Sequence, residues 1–318
     1  MSEKNEKIIF DVAYQPQVRT NTDTRRIMLD VLLALVPAVI VSVINFGIRT
    51  LLVMLVSMAA AVFFEWAYRK LMKKPDSIGD LTAALTGLLL VLTMPPQTPV
   101  WMPIVGDLFA IVVVKQLYGG LGKNFLNPAL AGRAFLMASY AAVMGSVAVD
   151  GVTMATPLSY MYAGEAMPFT TGQLFMGGIP GAMGEVSALA LLIGGAYLIY
   201  RKVISWRIPV AFIGTVAIIT FLFPAGGIPG WQFMLYELTT GGLMLGAIFM
   251  ATDYVTSPTT KLGRIIYGVG CGLITVFIRY FGYPEGVSFA ILVMNLFALV
   301  LDRVTMPVKF GGKKNGTK

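Results

Sequence analysis

The feature that most limits what this chain can become is the repeated return of apolar runs about as long as a bilayer is thick. Ten are predicted, over residues 27–47, 51–70, 79–95, 101–118, 127–145, 185–200, 208–223, 231–252, 264–281 and 286–303. A helix needs about 20 mostly apolar residues to cross the hydrocarbon, within a range of about 17 to 25. Only 13% of the 318 residues are charged and 57% are hydrophobic, where a soluble domain carries about 25% charged residues. Lipid is therefore the expected solvent, and the expected fold is an all-α polytopic membrane protein of about ten transmembrane helices. No cleavable leader is expected, since the first 26 residues are polar and the first apolar run is a full-length span without a small-residue cleavage site.

Charge placement orients these spans. With the N-terminus inside, 21 of the 24 basic residues fall on the cytoplasmic side, Lys115 and Lys123 among them. Arg49 and Arg279 fall outside, and Arg133 falls within the fifth span. This distribution reads as topology, so the formal charge of +8 gives no reason to expect nucleic acid. The chain divides into a cytoplasmic N-terminal segment (1–26), a first five-helix repeat (27–145), an extracytoplasmic loop without Lys or Arg (146–184), a second five-helix repeat (185–303) and a basic cytoplasmic tail (304–318). Five spans on either side of one external loop give halves of opposite orientation. "DLTAALTGLLL" (80–90) and "ELTTGGLMLGA" (237–247) match faintly at an offset of 157 residues. Both lie in interrupted spans, which run into "TMPPQTP" and "ATDYVTSPTT". Broken third and eighth helices are expected, and broken helices are where inverted-repeat membrane proteins place their sites.

One cysteine, Cys271, and no histidine narrow the chemistry. A lone thiol makes no internal disulfide and no structural zinc site. An iron–sulfur cluster needs about four thiolates, and haem usually takes His or Cys. Imidazole catalysis is excluded. If such a chain handles electrons, it does so with an organic cofactor, or with a metal shared with a partner.

Three polar stretches stand out, each with two readings. In "DGVTMATPLSY" (150–160), Thr156 precedes a proline and is held extended with its hydroxyl presented. It suits either covalent modification or the cap of a short helix. In "GKNFLNPALAGRAF" (122–135), Asn124, Asn127 and Arg133 form either a polar pocket, or a helix cap with an arginine that snorkels. "ATDYVTSPTTKLGR" (251–264), with Asp253, binds a cofactor, forms a gate, or satisfies backbone where a helix unwinds. Asp107, Asp30 and Glu65 are ion-path candidates or interhelical hydrogen-bond partners. "GGIPGAMG" (177–184) lacks the context of a phosphate loop.

Taken together the three stretches resemble a known family. "TMATPL" is similar to a Ser/Thr-x-Ala-Thr flavinylation motif, and the other two are similar to further signatures of the same proteins. These are the RnfD component of the Rnf complex (ferredoxin:NAD+ oxidoreductase) and the related NqrB component of the sodium-pumping NADH:quinone oxidoreductase. The resemblance runs from about residue 20 to 310, and the short N-terminal segment looks more like the Rnf protein. It implies covalent FMN on Thr156 through a phosphoester, attached outside by a flavin transferase that reads Thr153 and Ala155. It implies a second, non-covalent flavin, riboflavin, and a fold of inverted five-helix repeats similar to urea transporters. The partners it implies are the other Rnf components: the membrane-embedded RnfA and RnfE, the flavoprotein RnfG, and the cytoplasmic RnfB and RnfC. The motif usually begins Ser-Gly, whereas Thr153-Met154 stands here, which bears on transferase recognition and leaves the acceptor in place.

The function expected is an electron-transferring cell-membrane subunit that couples electron flow to Na+ or H+ movement, with both termini cytoplasmic. Asn124, Asn127 and the Thr82 and Thr239 pair are the expected contacts of the second flavin, with Arg133 and Asp253 also on the cofactor side. A small-solute channel of the same architecture is the rival from another class, and the quinone-reductase component is the rival within the redox class.

Overall fold

The structure is a computed structural model that describes residues 23–145, 148–149, 152–153, 156–163, 165, 167–185, 187–282 and 286–307. Expectations for the segment up to residue 22, for Met154 and Ala155, and for the tail beyond 307 lie outside these residues.

Helix α1 (Thr24–Phe46) starts at Asp23, whose carboxylate accepts the Thr24 amide at 2.7 Å. Gly47, at φ 83°, turns the chain into α2 (Ile48–Leu71). A 3-10 turn (Ile78–Asp80) and the left-handed Leu81 lead into α3 (Thr82–Leu92). Helix α4 (Trp101–Leu108) continues as a π-helix (Phe109–Gln116), and α5 (Pro128–Ser139) is followed by the short α6 (Ala141–Met144). The connection that follows carries a small antiparallel hairpin, β1 (Ala148–Val149) and β2 (Val152–Thr153), then α7 (Pro157–Ala163) and α8 (Thr171–Met176). The second half holds α9 (Ala188–Tyr200), α10 (Arg207–Leu222), α11 (Gly230–Thr239), α12 (Leu243–Leu245) with its π continuation Gly246–Met250, α13 (Lys261–Tyr280) and α14 (Gly286–Thr305).

The architecture is all-helical apart from that hairpin and is that of a polytopic membrane protein. Among the described residues, four helices (α1, α2, α13 and α14) are long and apolar enough to span, and α11 with 243–250, bent by 63°, makes a fifth. The sequence predicts ten. The shortfall falls on helices that end early: α3 is bounded by left-handed Leu81 and the Pro-rich 93–99 segment, and α5 stops at non-helical Tyr140. Helices α9 and α10 are apolar but shorter, at 13 and 16 residues.

Lipid-facing and core-facing helices differ as their compositions dictate. Helix α3 reads "TAALTGLLLVL", apolar all round, and every one of its residues is buried. Helices α1 and α2 turn Ile40, Ile44, Leu52, Leu55 and Phe63 outward, a surface that only hydrocarbon suits. Between packed helices in lipid, small residues let backbones approach closely. At the α1–α9 crossing a Cβ on Gly194 would lie 2.1 Å from the Ala34 carbonyl oxygen. On the basic face, Asp30 of α1 receives the Tyr197 hydroxyl at 2.9 Å and the Arg201 guanidinium at 3.1 Å, fixing the register of the same pair.

Gly194→Ala should therefore lower stability by about 1–3 kcal/mol through overpacking. Gly214→Ala, on α10 where nothing lies within 4 Å of the added methyl, should be neutral or stabilise by up to about 1 kcal/mol. Thermal unfolding of the two variants in detergent, followed by circular dichroism, checks the contrast.

Candidate functional site

Where α11 breaks, the chain opens a cavity of about 380 Å³. It lies between the break, α5, the start of α14, the start of α7 and residues 179–185. Polar side chains on its wall include Thr93, Arg133, Thr156, Ser159, Glu185 and Ser288. Arg133 is almost wholly buried, yet it lines this space from the middle of α5.

Thr156 is half-buried at the cavity edge, immediately before Pro157 opens α7. Its Oγ1 accepts the Ser159 amide at 3.4 Å, and its carbonyl accepts the Ser159 amide at 2.9 Å and the Ser159 hydroxyl at 2.7 Å. The Thr156 hydroxyl also donates to Ser159 Oγ at 3.5 Å, so the geometry here is that of the cap reading.

The break itself is held by a charge cluster. Gly241 and Gly242 are left-handed, at φ 65° and 69°. A Cβ on Gly242 would lie 2.3 Å from the Glu185 carboxylate, so only glycine fits there. The turn leaves carbonyls without helical donors, and the Arg279 guanidinium of α13 takes them: Thr240 O at 3.3 Å, Gly241 O at 2.9 Å and Glu237 O at 3.1 Å. Arg279 also pairs with the Glu237 carboxylate, and both side chains are fully buried. The other Glu237 oxygen accepts the Tyr162 hydroxyl at 2.7 Å, and Tyr162 belongs to α7. Arg279, which the charge count assigns to the external side, is thus a buried clamp and not a solvent-exposed charge. It sits in the last turn of α13, inside the protein.

A second, smaller cavity of about 80 Å³ gathers residues from two of the three polar stretches, 122–135 and 251–264. Thr82, Asn124, Asn127 and Asp253 line it together with Lys115. Asn127 caps α5, its Oδ1 accepting the Ala129 and Leu130 amides at 3.1 and 3.3 Å, and its Nδ2 donates to Met250 O at 3.2 Å. Asn124 Nδ2 donates to Leu126 O at 3.0 Å. Asp253 accepts the Thr256 hydroxyl at 2.9 Å; burial pushes its carboxyl above the ordinary range, and that bond and neighbouring amides pull it down. Thr239 does not join them. Its hydroxyl turns back to the Leu235 carbonyl at 2.8 Å. Arg133 is likewise apart from the asparagines, in the larger cavity.

The profile of the NQR2, RnfD, RnfE family matches residues 11–311. The chain belongs to the NQR2, RnfD, RnfE family. Among its relatives is the RnfD-type component of the Na(+)-translocating ferredoxin:NAD(+) oxidoreductase complex of Acetobacterium woodii, 47% identical across 95% of this chain and 96% of that one. The proton-translocating counterpart of Clostridium ljungdahlii is 42% identical across 97% and 98%. The matching component of the ion-translocating oxidoreductase complex of Citrobacter koseri is 34% identical across 96% and 99%.

Within this family chain the other predicted acids each meet a specific partner. Glu65 is fully buried and receives the Lys115 ammonium at 2.8 Å, Gln116 Nε2 at 2.8 Å and the Ser77 hydroxyl at 2.6 Å. Lys115, expected in a cytoplasmic connection, is buried and also donates to Thr82 Oγ1 at 2.6 Å. Asp107 is buried against Ser57, whose hydroxyl donates at 2.7 Å and sits over the α2–α3 contact at the Gly87 carbonyl. The sequence signal for Arg279, Glu237 and Lys115 is the rule that a charge inside a span marks a partner: all three lie within predicted spans, and counting Lys115 and Arg279 as topology charges passed over it.

Breaking a buried pair by removing one partner costs about 3–5 kcal/mol. Arg279→Met and Glu237→Leu should each fall in that range. Replacing both partners of a simple buried pair is often neutral. Here the Thr240 and Gly241 carbonyls still lose their donor, so the double variant should stay destabilised by about 1–3 kcal/mol. Detergent melting curves of the two single variants and the double variant measure this.

Proposed function

We propose that this chain is the RnfD-type membrane component of an ion-translocating ferredoxin:NAD+ oxidoreductase complex, with FMN held as a phosphoester on Thr156. The observation that carries the reading is the meeting of the Thr156 hydroxyl and the Arg133 guanidinium on the wall of one cavity beside a helix break. The residues fit the group. At about 380 Å³ the cavity is within the ~300–1,000 Å³ range of small-molecule pockets, a cation is at hand for a phosphate or an electron-rich ring, and the wall is mostly apolar. The flavin supplies reversible electron uptake, and the protein supplies attachment, orientation and electrostatics. Thr156 provides the ester oxygen, Arg133 the positive charge, and Tyr162 anchors the helix on which Thr156 stands.

Further points belong to the same proposal. The chain works as one part of a multi-subunit complex whose flavin transferase acts on the external side, with both termini in the cytoplasm. The Acetobacterium and Clostridium relatives carry different ions in their names, so family membership leaves Na+ and H+ equally open. The two halves are inverted repeats: the 157-residue offset lays α1, α2, α3, α4 and α5 over α9, α10, the 243–250 segment, α13 and α14. What supports this is that α1 and α9 pack together, as do α5 and α14, the pairs such a repeat makes equivalent. For riboflavin, the donor set of Asn124, Asn127 and Thr82 suits a neutral ring, but about 80 Å³ does not enclose three fused rings.

The test is mass spectrometry of the peptide containing Thr156, from the protein made in membranes that contain the transferase. An adduct of FMN mass is expected on the wild-type peptide and its loss is expected in Thr156→Ala. An unmodified wild-type peptide contradicts the proposal.

A further inference from the structure

On the face that the charge bias assigns to the cytoplasm, a third cleft of about 430 Å³ opens between the α9–α10 turn and the 252–264 segment. Three basic side chains line it: Lys202, Arg207 and Arg264. Ser205, Ser257 and Thr259 add hydroxyls, and no carboxylate lies on the wall. Of the acids beside it, Asp302 already accepts the Thr259 and Thr260 amides at 2.9 and 3.1 Å and the Thr259 hydroxyl at 3.0 Å, and Asp253, between Thr252 and Tyr254, accepts the Thr256 hydroxyl at 2.9 Å. Arg264 donates Nε to the Pro258 carbonyl at 3.0 Å, and Arg207 donates Nη1 to Ser205 Oγ at 3.4 Å. Lys202, exposed and held at φ 58°, meets no acid among the described residues.

Two helices begin at this cleft, α10 at Arg207 and α13 at Lys261, so the positive ends of both dipoles add to the basic side chains. The remaining wall belongs to a membrane interface. Trp206 is half-exposed under the Arg207 guanidinium, 5.3 Å from it, and Tyr254 is half-exposed with its hydroxyl on the Val203 carbonyl. From the rim, Ile199 and Val210 continue the apolar surface along α9 and α10.

We propose that this cleft is a binding site for an anionic phospholipid. Its phosphate is held by Lys202, Arg207 and Arg264, its glycerol by the hydroxyls, and its acyl chains lie on the exposed faces of α9 and α10. The charge argues for an anion, and the aromatic rim with its apolar continuation argues for a lipid over a soluble phosphate. Basic pockets between helices on the cytoplasmic side recognise such headgroups.

Native mass spectrometry of the full, delipidated chain tests this with three probes: dioleoyl phosphatidylglycerol, dioleoyl phosphatidylcholine and inorganic phosphate. Phosphatidylglycerol should be retained at least tenfold more strongly than phosphatidylcholine. Arg207→Gln and Arg264→Gln should each weaken retention about fivefold, the ratio that ~1 kcal/mol per basic residue near a charged membrane corresponds to. Lys73→Gln, in the exposed turn after α2, should leave retention unchanged. Equal retention of the two lipids, unchanged retention in both arginine variants, or inorganic phosphate bound as tightly as the lipid overturns the proposal. So does a photo-crosslinker at position 202 in the intact complex that captures a protein subunit and no phospholipid.

Discussion

A helix broken within hydrocarbon exposes carbonyls that water does not reach, and the protein must answer them from its own side chains. Arg279 does this. Its guanidinium offers several donors in a planar fork, and this single group holds three carbonyls of the α11 break together with the Glu237 carboxylate. Without it the turn at Thr240–Gly242 leaves unsatisfied polar groups on the wall of the larger cavity. A buried arginine is costly alone and acceptable here because Glu237 neutralises it and the carbonyls use its hydrogens.

From this cluster the geometry spreads in both directions. Outward, Glu237 receives Tyr162, which belongs to the helix that begins immediately after Thr156. Thr156 is thus tied through one hydroxyl to the same clamp that shapes the cavity it faces. Inward, the 243–250 segment has Leu245 and Gly246 on the larger cavity and Phe249 on the smaller one. Its end is held by Asn127, through the Met250 carbonyl. One short half-helix therefore separates the two spaces, and both of its ends are pinned by buried polar side chains.

Much of this was legible in the sequence because hydropathy and proline placement act locally. The apolar runs, the interruption of the eighth span, the start of a short helix at Pro157, and the Asn127 cap all depend on neighbours within a few residues. Helix ends were less legible, since left-handed Leu81 and the early stop at Tyr140 depend on tertiary packing. Least legible were partnerships across distant segments. Lys115 reads as a cytoplasmic charge until Glu65, 50 residues away, is seen to neutralise it. Arg279 reads as a lone charge near a span end until Glu237 is placed beside it. Thr239 looked like the mate of Thr82, yet its hydroxyl is spent on its own helix, while Asn124, Asn127, Thr82 and Asp253 do share a wall.

The central claim is that the Thr156 side chain faces a cavity on the side of the membrane opposite the basic clusters. The one native thiol, Cys271, is buried, so a cysteine introduced by Thr156→Cys can be read alone. A membrane-impermeant thiol reagent added to intact cells should label that position and leave Lys261→Cys, an exposed site on the basic face, unlabelled. Labelling of position 156 only after the membrane is opened, in step with position 261, contradicts the account.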